Sequence, residues 1–172
     1  MGVFILLFCA CPSDGEWRLI RNIFISVKLN LFMSENIPKV NVDILVVRNN
    51  QILLGLLTKR WNYEGKQVYG VPGRDIHFRE KIGDTVKRNI KEEFGCNVTS
   101  YKIICVNANY ALGNHYIGIG VVAEMDGELK NLIPEDWERW EWFSHDKIPN
   151  NLFPATKNLV ECFLKKRFIV SE

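Results

Sequence analysis

Apolar and polar residues alternate along several stretches of the chain, and a period of two predicts β-strands. In residues 40–46 the apolar residues Val40, Val42, Ile44 and Val46 alternate with Asn41, Asp43 and Leu45. Residues 48–51 form a polar turn, and the apolar run at 52–57 predicts the returning strand of a hairpin. Further strands are predicted at 68–71, 98–109, 116–125 and 140–143, separated by polar loops at 58–67, 110–115 and 132–139.

A second period, close to four residues, predicts one helix in the middle of the chain and one near its end. Apolar residues recur at every fourth position from Ile82 to Phe94, and Gly95 follows where a left-handed residue commonly ends a helix. One polar edge beside that stripe carries Thr85, Asn89, Glu92 and Glu93. The last helix is predicted from Ala155 to Arg167. This order of elements indicates an α+β domain or a sandwiched α/β/α domain.

Length and composition indicate one ordinary globular domain. The chain has 172 residues and a formal net charge of +2, too small to argue for binding to nucleic acid or to an anionic membrane. The five cysteines show no zinc-binding spacing: Cys9, Cys11, Cys96, Cys105 and Cys162. Cys96 and Cys105 lie among apolar residues and are predicted to be buried free thiols, which suits a reducing compartment such as the cytoplasm.

The first 32 residues fit the rest of the chain poorly. Residues 3–10 are apolar, but they match a secretory signal badly and are too short to span a bilayer as a helix. Residues 23–32 alternate weakly, as a strand would. We expect translation to start at Met33, which gives a domain of residues 33–172 preceded by an extension of residues 1–32. The alternative is a genuine extra strand or a membrane-associating leader.

The segment that decides the function runs from a Pro-Gly turn at 72–73 to a pair of glutamates at the end of the first helix. It resembles the box of the Nudix (MutT-like) hydrolases, G-x5-E-x7-R-E-U-x-E-E-x-G-U with U aliphatic. Counted from position 74, the residues in register are Glu80, Arg88, Ile90, Glu92, Glu93 and Gly95. Arg74 replaces the first glycine, and Asn89 replaces a glutamate. The resemblance covers roughly residues 38–166.

This resemblance implies an α/β/α sandwich with a mixed sheet and a bound Mg²⁺ or Mn²⁺. Both ions prefer hard oxygen ligands, and Glu92 and Glu93 are the best candidates. By analogy with the family, Arg88 orients these glutamates, and Gly73 adds a backbone ligand or contacts the substrate. Glu80 is then either a further metal ligand or the ion-pair partner of Arg88. A solvated helix face would explain two isolated glutamates, but it does not explain a whole box in register.

Asn89 raises the question of which group activates the attacking water. In many Nudix enzymes the glutamate at this position binds metal or accepts a proton, and a neutral amide cannot act as a general base. Glu138 is the first substitute, because residues 138–142 resemble the E-x-W-E-W ending of enzymes that cleave nucleoside triphosphates. The weaker alternatives are Glu135, Asp136 and His115.

Several other side chains are candidates for substrate binding. Arg74 and Arg60 are expected to contact phosphate, although tolerance at a turn explains Arg74 equally well and a solvated loop explains Arg60. Three aromatic residues are candidates for stacking on a base: Trp61, Tyr63 and Tyr69. Packing in the core or at the rim is the more common role for such aromatic residues.

The favoured function is hydrolysis of a nucleoside triphosphate to a monophosphate and pyrophosphate. The second candidate is a nucleotide-sugar hydrolase resembling the GDP-mannose mannosyl hydrolases. It ranks below the first because those enzymes use a histidine as the base, and Trp137 stands at about that position here. A catalytically weakened domain that binds nucleotide is third, and the two box substitutions, Arg74 and Asn89, motivate it. The expected partner is a small nucleotide-type substrate, not nucleic acid or membrane. A homodimer would also fit the family.

Overall fold

A computed structural model of the protein describes residues 37–166 and 168–171. The expectations about Met33, the extension at 1–32 and the weak strand at 23–32 therefore lie outside the described residues. Within the described part, no helix has the length and apolar character needed to cross a membrane.

Eight strands and two α-helices make up the described residues. The strands are β1 (Lys39–Arg48), β2 (Gln51–Leu57), β3 (Tyr69–Gly70), β4 (Gly73–Asp75), β5 (Asn97–Ala111), β6 (Asn114–Asp126), β7 (Trp137–Ser144) and β8 (Ile169–Ser171). Helix α1 (Ile82–Phe94) lies between β4 and β5, and helix α2 (Pro154–Lys165) lies between β7 and β8. Two short 3-10 helices occupy Lys59–Trp61 and His145–Lys147.

The strands form one mixed sheet in the order β3-β2-β1-β6-β5-β8, with β4 paired to β1 and β7 paired to β2. Strands β1 and β6 run parallel, whereas β1 and β2 and also β5 and β6 run antiparallel. The alternation in β1 sends Val42 and Ile44 toward α1, and sends Leu45 to the opposite face, toward α2. The prediction of a mixed sheet between helices is therefore confirmed.

Helix α1 has the predicted bounds. Its stripe of Val86, Ile90 and Phe94 is fully buried, and Gly95 ends the helix at a φ of 72°. A positive φ favours glycine because a side chain would strain that backbone conformation. The apolar stripe and the glycine thus determine where this helix lies and where it ends.

Three predicted boundaries were wrong. Residues 137–139 belong to β7 and pair with the end of β2, although their polar composition indicated a loop. The predicted loop at 110–115 is a tight turn around Leu112 and Gly113, because β5 and β6 continue to the turn on both sides. The last helix ends at Lys165, and Lys166 adopts a left-handed conformation. Two consecutive polar residues of β7, Glu138 and Arg139, are exposed, so composition alone concealed the start of the strand.

Candidate active site

The Pro-Gly turn and the end of α1 meet at the carboxylate of Glu93. The backbone N–H of Gly73 donates to Oε1 of Glu93 at 3.2 Å, and the indole N–H of Trp137 donates to Oε2 at 3.0 Å. Glu93 is only 1% exposed, and this burial raises its pKa to about 7. Glycine is required at position 73, because a Cβ there would collide with the carbonyl oxygen of Val42.

Arg88 ties the loop before α1 to the helix. Its Nε and Nη2 donate to the two carboxylate oxygens of Glu80 at 2.7 and 2.9 Å, and Nη2 also donates to the carbonyl oxygen of Asp75 at 3.1 Å. Hydrogen bonds from Arg88 and from the backbone N–H of His77 hold the pKa of Glu80 at about 2. Both oxygens of Glu80 are thus engaged by protein donors. Of its two expected roles, the geometry favours the ion pair with Arg88.

Asn89 is fully buried next to this ion pair. Its Oδ1 accepts a hydrogen bond from Nη1 of Arg88 at 3.2 Å, and its Nδ2 has no hydrogen-bond partner among the described residues. The amide oxygen of Asn89 therefore serves as an acceptor for Arg88. It brings no basic group to this position.

A cavity of about 270 Å³ opens beside Glu93. Arg74 lies on its wall, with Nε 4.0 Å from Oε1 of Glu93 and Nη2 3.8 Å from Oδ2 of Asp136. Apolar and aromatic side chains form much of the remaining wall, among them Leu57, Trp61, Trp137, Val71 and Phe153. The cavity thus combines aromatic surface with a cation that lies near two of its carboxylates, those of Glu93 and Asp136.

Arg74 keeps a negative φ, so the glycine that the box pattern has at this position is not needed for backbone freedom. Its guanidinium lies between two acidic side chains at the edge of a cavity, with the side chain 42% exposed. A guanidinium in this setting is available to a phosphate, because it offers several N–H donors in a fork that matches phosphate oxygens.

The structure leaves some of the expected site residues outside the cavity. Glu138 is exposed and does not line it, whereas Asp136, two residues earlier, does. Arg60 is also exposed and outside the lining; it reaches Asp136 at 3.6 Å from the surface side. His115 stacks on the ring of Tyr110. The chain segment that contains Glu138 therefore does reach the cavity, but the acid that lines the cavity is Asp136.

Only one of the three aromatic residues considered for base stacking lines the cavity. Trp61 does so, and its indole N–H donates to Oδ1 of Asp136 at 2.6 Å. Tyr63 packs edge-on against Phe153 instead. The hydroxyl of Tyr69 donates to Glu141, away from the cavity.

Sequence reasoning missed a set of polar side chains in the cavity wall, chiefly Asn41, Asp43 and Asn109. The signal was the alternation in β1: in a sheet covered by helices on both faces, the polar positions of a strand are buried as well. Asp43 is 8% exposed, and burial raises its pKa to about 7 although Asn41 donates a hydrogen bond to it at 2.8 Å. Trp137 was considered only as the residue that stands in place of a histidine.

The acidic side chains suit a shared metal ion better than a preformed metal cage. Among residues 37–166 and 168–171, no three acidic, histidine or cysteine side chains gather into a group able to hold a metal ion. Glu92, which is half exposed, and the buried Glu93 remain as a pair at the end of α1. Mg²⁺ is commonly held by one or two carboxylates together with substrate phosphates. Glu93, which lines the cavity, fits such a shared ion, whereas Glu92 lies outside the lining and pairs with Arg88.

The structure combines a mixed sheet between two helices, a Pro-Gly turn that contacts Glu93, and the ion pair of Arg88 with Glu80. This combination is that of a hydrolase of the Nudix class. Residues 37–163 match the family model described as NUDIX domain, and the chain belongs to this family. It is a hydrolase of this family, whose members act on pyrophosphate bonds and generally use divalent metal ions.

Similar proteins include enzymes with different named activities. The ADP-ribose pyrophosphatase of Methanocaldococcus jannaschii is 30% identical over 123 residues, which cover 70% of this chain and 70% of that protein. The crystal structure of a MutT NUDIX hydrolase from Burkholderia pseudomallei is 28% identical, with a TM-score of 0.66 over 73% of this chain and 98% of that chain. A MutT protein from Methanosarcina mazei, 20% identical, shows the same fold with a TM-score of 0.63 over 77% and 96%.

Proposed function

We propose that the protein hydrolyses a phosphoanhydride bond in a nucleoside di- or triphosphate-type substrate with the aid of Mg²⁺ or Mn²⁺. The position of Arg74 carries this proposal. Its guanidinium lies on the cavity wall between the carboxylates of Glu93 and Asp136. A phosphate chain needs both a cation to neutralise its oxygens and carboxylates to share a metal ion. This wall offers both at one place.

Each residue then has a role that follows from its contacts. Glu92 and Glu93 would hold the metal ion, which when bound neutralises charge on the phosphate oxygens. Arg74 contacts a phosphate directly, and Gly73 supports Glu93 through its N–H. Arg88 does not touch the cavity; it positions the end of α1 through its ion pair with Glu80.

We propose Asp136 in place of Glu138 as the acidic group that orients the attacking water. It lines the cavity, whereas Glu138 faces solvent outside it. Its two oxygens meet Trp61 and Arg74, so the carboxylate is held in one orientation. A positioned carboxylate of this kind is what water activation requires once Asn89 provides no base.

Two substrate types share this chemistry. Cleavage of a nucleoside triphosphate to a monophosphate and pyrophosphate agrees with the similarity to a MutT hydrolase. Cleavage of a nucleoside diphosphate linked to a sugar agrees with the similarity to an ADP-ribose pyrophosphatase. The mannosyl-hydrolase reading ranks below both, because Trp137 occupies the place of the expected histidine base and an indole cannot accept a proton there.

A hydrolysis panel on the full chain tests the proposal. It compares nucleoside triphosphates, oxidised triphosphates, ADP-ribose and GDP-sugars, each with Mg²⁺, Mn²⁺ or EDTA. We expect metal-dependent turnover that Glu93→Gln abolishes and that Glu124→Gln preserves, because Glu124 lies on the exposed face of β6. Release of pyrophosphate would identify a nucleoside triphosphate as the substrate, and release of a sugar phosphate would identify a nucleoside diphosphate linked to a sugar. Release of free sugar would contradict attack at phosphorus.

Nucleotide binding without turnover on any substrate would overturn the proposal in favour of a weakened, nucleotide-binding domain. We also propose that the protein works in the reducing cytoplasm. The described cysteines that support this, Cys96, Cys105 and Cys162, are buried and free.

A further inference from the structure

The hairpin between β5 and β6 reaches the cavity with its tip. Ala111 and Leu112 line the cavity from the end of β5 and from the turn, and Tyr116 lines it from β6. Strand β1 pairs with β6 only from Tyr116 onward, and β8 pairs with β5 only at residues 105–107. Within the described part of the chain, residues 110–115 therefore extend beyond both neighbouring strands. We call residues 110–115 the hairpin tip.

The turn of the hairpin tip contains a leucine in a backbone conformation that leucine disfavours. Leu112 and Gly113 are the two residues between the paired Ala111 and Asn114, and their φ values are 52° and 75°. A two-residue turn with two positive φ angles is commonly built from Asn-Gly or Asp-Gly, because a bulky side chain is strained in the left-handed region. The turn itself therefore gives no reason for leucine at position 112.

Packing within the protein gives no strong reason for this leucine either. Leu112 is 49% exposed, so about half of its surface stays in contact with water. It also lines the cavity, which places this exposed apolar surface where a bound molecule would cover it. A strained and exposed apolar residue at the edge of a cavity indicates a role in binding.

Contacts within the hairpin tip hold Leu112 in place. Tyr110 and His115 are register partners, and their rings stack at a centroid distance of 4.4 Å. Because side chains alternate between the faces of a strand, this pair lies on the face opposite to Ala111 and leaves the cavity side open. In the turn, Nδ2 of Asn114 donates to the carbonyl oxygen of Leu112 at 3.1 Å. The hairpin tip therefore presents the leucine from a braced turn.

We propose that Leu112 packs against the base of a nucleotide in this cavity and makes the enzyme favour nucleoside phosphates over sugar phosphates that lack a base. This inference rests on the proposed function, because it places the substrate in the same cavity. Arg74 is the group assigned to phosphate, and the apolar lining, which includes Trp61 and Phe153, suits an uncharged planar ring. Covering the exposed half of a leucine side chain corresponds to a gain in affinity of roughly four- to tenfold.

Binding of nucleoside monophosphates measures this contact without turnover, because these ligands contain no phosphoanhydride bond. Isothermal titration calorimetry on the full chain compares AMP, GMP, CMP and UMP with ribose 5-phosphate, which carries a hydroxyl in place of the base. We expect wild type to bind the best monophosphate at least about tenfold more tightly than ribose 5-phosphate.

Three variants test whether Leu112 causes this preference. Leu112→Asn removes apolar surface but suits the left-handed turn, so it should fold and reduce the preference by roughly four- to tenfold. Its affinity for ribose 5-phosphate should stay within about twofold of wild type, since only the contact with the base is lost. Leu112→Met keeps an apolar side chain of similar volume and should retain the preference. Leu164→Asn is the matched control, because Leu164 is 45% exposed and lies outside the cavity lining.

The outcomes separate this inference from the proposed function. A wild type without preference for a base, or a preference that Leu112→Asn leaves unchanged, overturns the role of Leu112. An equal loss of affinity for ribose 5-phosphate also overturns it, because the variant would then disturb the whole cavity.

Turnover in the hydrolysis panel together with any of these results would leave the proposed function standing alone. A preference that is lost in Leu112→Asn and kept in Leu112→Met, without turnover on any substrate, would support the contact with the base and contradict hydrolysis.

Discussion

The indole N–H of Trp137 donates a 3.0 Å hydrogen bond to Oε2 of Glu93, across 44 residues of sequence. It joins the start of β7 to the end of α1, and it holds the buried carboxylate beside the cavity. Gly55 of β2 makes room for this arrangement, because a Cβ there would lie 2.5 Å from the ring of Trp137. The position of the Glu93 carboxylate therefore depends on β7, a strand that lies outside the box in sequence.

Trp137→Phe should destabilise the protein by about 1–3 kcal/mol, because the buried carboxylate of Glu93 loses a donor. Urea unfolding at neutral pH measures this cost. Trp140→Phe is the matched control: its indole N–H has no hydrogen-bond partner among the described residues, so the same substitution removes no such contact. Equal costs for the two variants would mean that Trp137 acts through packing alone.

Arg88→Lys should lower kcat by roughly tenfold to hundredfold while KM changes little, because Arg88 positions the glutamates and does not touch the cavity. Lysine cannot make the two parallel hydrogen bonds that Glu80 now accepts. Arg139→Lys, which alters an arginine–glutamate pair outside the cavity, serves as the control in steady-state kinetics. A rise in KM with kcat unchanged would contradict the positioning role.

Arg74→Gln should raise KM by about tenfold or more, since a hydrogen bond to a charged phosphate oxygen is worth about 1.5–3 kcal/mol. Arg60→Gln should have the smaller effect, because Arg60 contacts the same Asp136 but lies outside the cavity lining. Steady-state kinetics on the best substrate of the panel compares them. Comparable effects at both positions would argue for general attraction of an anion and against a specific contact.

Asn89→Glu should raise kcat by at least about tenfold, because a carboxylate beside Arg88 restores a group able to bind metal or accept a proton. Asn89→Gln has the same length without the charge and should bring no gain. The comparison uses turnover at saturating metal and substrate. No gain for the glutamate variant would mean that another group, Asp136 in our proposal, already supplies this function in full.

Asp43→Asn should make the stability of the protein less dependent on pH. Burial raises the pKa of Asp43 from 3.8 to about 7, so the native state holds a proton that the unfolded state has released. Stability therefore falls as pH rises from about 4 to 7, by an amount on the order of 4 kcal/mol. The variant should be the more stable protein at pH 8, with no such advantage at pH 4.5.

Urea unfolding at pH 4.5, 6 and 8 checks this expectation. Asp126→Asn, at the exposed end of β6, controls for the loss of a negative charge. If Asp43→Asn changed stability equally at all three pH values, the carboxyl group of Asp43 would not be the source of the pH dependence.

The sequence by itself determined the parts of the protein that depend on near neighbours. The stripe from Ile82 to Phe94 and the glycine at 95 gave α1 its limits, because residues one turn apart share a helix face. The alternation around Val42 gave β1 and its hairpin with β2. The spacing from Glu80 to Gly95 gave the family, since each member of the box lies within one local segment.

Tertiary structure alone decided which distant side chains share the cavity. Composition made residues 137–139 look like a loop, and the family resemblance suggested Glu138 as the acid, whereas strand pairing left Glu138 exposed and brought Trp137 to Glu93. The alternation in β1 identified Asp43 only as a polar strand position, and the packing of α2 on that face of the sheet decided that it is buried. The physical reason is that a period of two separates the faces of a strand, but only packing determines which of those faces is buried.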